Sequence, residues 1–185
     1  MTALYRSGVL IIIAFLLAAL THVSAILLVP SLTPIDSWTK LAKLGDVGTF
    51  ALVTTTDGVS DLVPRNDPMT IIAICRYDLD ESGPVRISGR LSLPYWGFFA
   101  HDRRGMVYYA INNRAFGERP LSLRVMTGDD VVRFRADLPE DAEQELLVAS
   151  PDARGFVLIR ALVPFPGSRL RVEAELKQLE CRSGQ

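Results

Sequence analysis

Hydrophobic and polar positions divide this chain into two unlike parts. Gly8 to Val29 form one uncharged apolar run behind a short tail carrying Arg6, whereas after Pro30 charges are spread throughout and apolar residues come in short blocks. About 22 residues at ~1.5 Å each span roughly 33 Å, enough to cross a bilayer core of about 30 Å. The pattern predicts a cytoplasmic tail over 1–7, a transmembrane anchor over 8–29, a juxtamembrane helix and linker over 30–48, and a β-rich domain over 49–185. A cleaved signal peptide is the alternative, with Val23-Ser24-Ala25 as the cut. Ile26 to Val29 carry the apolar run straight past that cut and favour retention as an anchor. Arg6 on one side and Lys40 and Lys43 on the other bias orientation only weakly. A very short N-terminal tail stays most easily in the cytoplasm, which places the domain on the far side. His22 has no second ionisable residue in the run to form a relay, and with Thr21 and Ser24 it reads as a polar group near the outer interface.

Beyond the anchor, Thr33-Pro34-Ile35-Asp36 predicts a helix start, with Thr33 as cap, Pro34 at the first helical position and Asp36 completing a capping box. The helix runs to Leu44 and stops at Gly45, with Trp38, Leu41 and Ala42 on one face. Phe50 to Thr55 follow as a strand, then a turn at Asp57-Gly58 and a loop from Pro64 to Pro68. Met69 to Asp78 is apolar enough for a central strand covered on both faces. Val85 to Leu91 alternate as a half-buried strand, Leu93 to Ala100 form an aromatic strand, Asp102 to Gly105 a hairpin turn, and Met106 to Ile111 the return. Leu121–Thr127, Val131–Ala136, Glu145–Ser150 and Gly155–Val163 supply four further strand candidates. The tail from Gly167 fits strand or helix, and Ser168 as a cap favours the helix. The expected fold is mainly β, a sandwich or jelly-roll-like antiparallel arrangement, with the N-terminal transmembrane helix, a short juxtamembrane helix and a C-terminal helix.

Charge excludes one class of function. A formal net charge of −1 leaves no basic nucleic-acid footprint. The cations are overwhelmingly arginine, with lysine only at Lys40, Lys43 and Lys177, a bias typical of GC-rich coding and so of a bacterial source. With the anchor, this makes the expected location the bacterial inner membrane, with the domain in the periplasm. Cys75 and Cys181 are the two cysteines. In an oxidising compartment they are a candidate disulfide, while Cys75 within an apolar strand also reads as a small buried hydrophobe.

Catalytic and metal signatures are weak. Asp78 to Gly83 begins like a calcium loop, but position twelve is Gly89 and Pro84 follows the glycine, so a polar turn is the better reading. Two histidines, one in the apolar run, do not make a usual zinc site. No cofactor is expected. His101 and Asp102 are adjacent and so point to opposite faces of a strand, unlike a base and its orienting acid. Two readings stay open for the stretch around them. Either it is a core hairpin, or Tyr95, Trp96, His101, Arg104, Asn112 and Arg114 edge an aromatic cleft for a carboxylate or sugar.

Asp67 to Leu79 (DPMTIIAICRYDL), the turn Gly83 to Arg86, LPYWGFFAHDRRG from Leu93 to Gly105 and INNR from Ile111 to Arg114 resemble the domain-of-unknown-function family 1254. So do His22 in the anchor, the exit LLVPSL, the Trp38 helix and Cys181 near the end. The match is to its short, membrane-anchored members, which are encoded beside a companion of family 1214. The resemblance implies an envelope protein with a β-rich domain and no established activity. The functional expectation is a non-enzymatic interaction module that pairs with a protein partner in the envelope, the companion first. The rival is a small-ligand binder or enzyme using the aromatic cleft.

Overall fold

A computed structural model of the chain describes residues 2–32, 36–53, 67–117, 119–137 and 145–184. It divides into two units, Met1–Ile35 and Asp36–Gln185. The first is a helix, α1 (Thr2–Leu32), within which Tyr5–Leu28 is long and apolar enough to cross a membrane. The span starts three residues earlier than the apolar run itself and ends one residue sooner. Its large apolar side chains are exposed all round, the distribution suited to lipid rather than to a protein core. The Thr21 hydroxyl donates to the Leu17 carbonyl at 2.8 Å, so it is satisfied within the helix.

The second unit is built on two sheets. One has five antiparallel strands in the order β1 (Phe50–Val53), β2 (Thr70–Asp78), β8 (Arg154–Leu162), β4 (Trp96–Asp102), β5 (Val107–Asn112). The other runs β7 (Leu146–Ser150), β6 (Leu121–Thr127), β3 (Val85–Gly89), β9 (Glu180–Ser183). Its β6–β7 pair is parallel, so this sheet is mixed. Alternate residues of the two sheets form one core: Ile71, Ala73, Cys75 and Tyr77 of β2, Phe98 and Ala100 of β4 and Val157 and Ile159 of β8 meet Ile87 of β3 and Leu123 and Val125 of β6. Each of the valine, leucine, isoleucine and phenylalanine side chains contributes about 1.5–3 kcal/mol by leaving water. Cys75 and Cys181 are joined by a disulfide that ties β2 of the large sheet to β9 of the small one.

Every residue of β2 is buried, as the apolar run in its first half predicts, and the burial extends to Arg76 and Asp78. Its outer face is covered by a second cluster in which Leu41, Val53, Ile72, Ile74 and Phe156 pack together. Leu41 comes from the segment after β-domain residue Asp36, a one-turn helix α2 (Ser37–Lys40) continued by a 3-10 turn over Leu41–Lys43. The cap of α2 is Asp36, whose Oδ1 accepts from the Thr39 amide at 3.1 Å. The predicted cap Thr33 and Pro34 lie outside the described residues, as do the turn at Asp57-Gly58 and the loop up to Asn66.

Four local expectations are corrected. Val131 to Ala136 is not a strand but the end of helix α5 (Gly128–Ala136), because the Thr127 hydroxyl accepts the Asp130 amide and two aspartates open the first turn. The turn after β2 is a one-turn helix, α3 (Leu79–Ser82), capped by Asp78. β3 ends at Gly89, whose φ of 153° favours glycine, so Leu91 lies beyond the strand. The tail does contain the expected helix, α6 (Arg169–Leu176), yet Ser168 does not cap it: its hydroxyl donates to the Phe165 carbonyl at 2.7 Å. A further strand, β9, follows where none was predicted.

Candidate functional site

Strands β2, β4 and β8 give the domain two ends. At one lie Asp78, Asp102 and Arg154 with the β4–β5 turn; at the other lie Thr70, Trp96 and Leu162, paired or adjacent across the sheet. Asp102 builds the turn as its sequence suggests. Its Oδ1 accepts the amides of Arg104 (2.9 Å) and Met106 (2.8 Å), and Gly105 takes a φ of 95°. One residue of β5, Tyr108, is extra where the register shifts opposite Ala100 and His101. It lets the Tyr108 hydroxyl reach that of Tyr77 at 2.9 Å, and Tyr77 in turn meets Ser150 Oγ at 3.0 Å. Burial pushes the Tyr77 phenol far above its ordinary range, and Tyr108 adds to this.

Chain register separates the six residues of the predicted cleft. His101 lies on the outer face of the large sheet, stacked flat on Phe156 at 4.6 Å, with Nδ1 buried and without a hydrogen-bond partner among the described residues. Burial lowers its pKa. Arg104 sits in the turn at the same end, its carbonyl accepting the Ser37 hydroxyl at 2.8 Å. Trp96 is at the other end and on the inner face, 5.9 Å from the Phe116 ring. Asn112 caps the short helix α4 (Asn113–Phe116) through Oδ1, which accepts the Ala115 amide at 3.0 Å. Tyr95 is partly exposed beside Trp96, and its carbonyl accepts the Leu162 amide at 3.0 Å. Thus His101 and Arg104 do not share a site with Trp96 and Arg114.

The structure does make a cleft at the Trp96 end, with different partners. It holds about 570 Å³ and lies between the β3–β4 connection and α4, lined by Arg90, Leu91, Ser92 and Leu93 from one side and Asn113, Arg114 and Gly117 from the other, with Trp96 between. Among the described residues Arg90 and Arg114 have no acidic partner and no carboxylate lines the cleft. Asn113 Nδ2 donates to the Pro94 carbonyl at 3.1 Å, which turns its buried Oδ1 away with no donor to accept from. Arg90 and Asn113 escaped sequence reading because only tertiary contact brings β3's end to α4. The one local sign was Gly89, which releases Arg90 from the strand.

Around this cleft the same end carries apolar surface. Met69, Tyr95, Phe165 and Leu170 are 39, 43, 60 and 79% exposed. The segments that carry them are tied to one another: the Met69 carbonyl accepts the Val163 amide at 2.8 Å, and the Arg169 guanidinium beside Leu170 donates to the Pro68 carbonyl at 2.8 Å.

The opposite end holds the chain where it comes into the domain. Trp38 Nε1 donates to the Tyr77 carbonyl at 2.9 Å, and its ring faces the guanidinium groups of Arg76 at 4.7 Å and Arg154 at 5.2 Å. Arg154 Nε meets Asp78 Oδ2 at 2.7 Å, and Asp78 Oδ1 accepts the Asp80 and Glu81 amides, each at 3.2 Å. Burial works to raise the Asp78 carboxyl, but Arg154 and the two amides outweigh it and hold it below its usual range. With both oxygens committed, Asp78 is a structural acid rather than the first ligand of a calcium loop. Among the described residues no group of three or more His, Cys, Asp or Glu is placed to hold a metal. Asp36 Oδ2 is bound by Arg103 at 2.7 Å, and that hydrogen bond holds its carboxyl well below the usual range.

No family model and no curated protein matches the chain. Two solved structures are similar in fold. The VPA0106 protein from Vibrio parahaemolyticus superposes with a TM-score of 0.57 at 12% identity, over 80% of this chain and 35% of that one. An uncharacterised protein from Burkholderia cenocepacia gives 0.48 at 11% identity, over 81% of this chain and 40% of that one. The chain therefore spans about a third of the length of the Vibrio protein, whose likeness shows the fold alone.

Proposed function

We propose that the chain is a non-enzymatic, single-pass protein of the bacterial inner membrane, with its N-terminus in the cytoplasm and its β domain in the periplasm, and that this domain docks a protein partner. The observation that carries the reading is the apolar end formed by Met69, Tyr95, Phe165 and Leu170. Large apolar side chains gathered at one exposed end mark a contact surface in a folded domain. Within the domain this end lies opposite Arg103 and Trp38. The family 1214 companion implied by the sequence resemblance is the first partner to test.

Crosslinking in intact cells, followed by mild detergent extraction and mass spectrometry, tests the proposal. One envelope protein should be retained in stoichiometric amount by the wild type and lost from Phe165→Glu/Leu170→Glu, while Arg104→Glu at the opposite end retains it. Recovery of the chain alone, self-crosslinking as the sole product, or retention of the partner by Phe165→Glu/Leu170→Glu would each overturn it.

A further inference from the structure

We draw no further inference here: the strongest candidate, the groove of about 440 Å³ between β1 and β9, lined by Phe50 and Leu52 on one side and Leu179, Cys181 and Arg182 on the other, carries nothing because nothing in the structure shows what covers it.

Discussion

Breaking the Cys75–Cys181 bond probes the whole sandwich, because it is the disulfide cross-link between the sheets. It closes a loop of 106 residues. In the chain-entropy treatment such a loop restricts the unfolded chain enough to stabilise the fold by about 4–5 kcal/mol. A domain of this size is stable by roughly 5–15 kcal/mol in total, so the bond is a large share. Reduction keeps the sulfur atoms in place and so isolates the link from packing. At a slope of about 2 kcal/mol per molar urea the midpoint should fall by about 2 M. The thermal midpoint should fall by roughly 10–20 °C. Intrinsic fluorescence reads the domain alone, since Trp38 and Trp96 both lie in it and α1 has no tryptophan. Replacing both cysteines by alanine should reproduce the shift and add about 1–2 kcal/mol, because Cys75 and Cys181 are buried and the lost sulfurs leave space. Reduced and oxidised proteins with the same urea midpoint would refute the reasoning, by showing that the unfolded chain gains no freedom when the link opens.

Other perturbations read single contacts. Gly155→Ala places a methyl against the Tyr77 hydroxyl and the His101 carbonyl, backbone and core that cannot yield, and should cost about 2–3 kcal/mol or more in urea unfolding. Leu123→Ala at the centre of the small sheet should cost about 2–5 kcal/mol by the same measure. Asp78 is held below its unfolded pKa, so its contribution is present above about pH 4 and is lost as pH falls through the folded value. Asp78→Asn should therefore lower stability at neutral pH and flatten the acid limb of a stability-against-pH curve. His101 is also depressed, so protonation favours the unfolded chain. Stability should decline as pH falls below about 6.5, and His101→Phe, which keeps the stack on Phe156, should remove that decline.

What the sequence showed follows from whether a signal was local. β2 was legible because Ile71 to Cys75 is an apolar run of the kind a strand buried on both faces needs, and the β4–β5 turn because Asp102 and Gly105 carry its geometry themselves. α5 was misread because Val132-Arg133-Phe134-Arg135 alternates like a strand, although Thr127 and the aspartates Asp129 and Asp130 mark a helix start. β9 has a polar sequence and exists through its pairing with β3 and its bond to Cys75, neither of which is local. The cleft was half legible. Trp96 and Arg114 do line one site, but the side of the sheet that His101 takes depends on the β4–β8 register, and Arg90 arrives from the β3–β4 connection.

The Trp38 clamp also decides how the domain bears mechanical load. A pull transmitted along the chain to Asp36 reaches the β4–β5 turn through Arg103 and Arg104, and the two central strands through the Tyr77 carbonyl, Arg76 and Arg154. These attachments share the force, so it is spread over several strands of the large sheet. The neighbouring edge strand β1, which would unzip one hydrogen bond at a time if pulled first, comes later in the chain and is shielded until the clamp has given way.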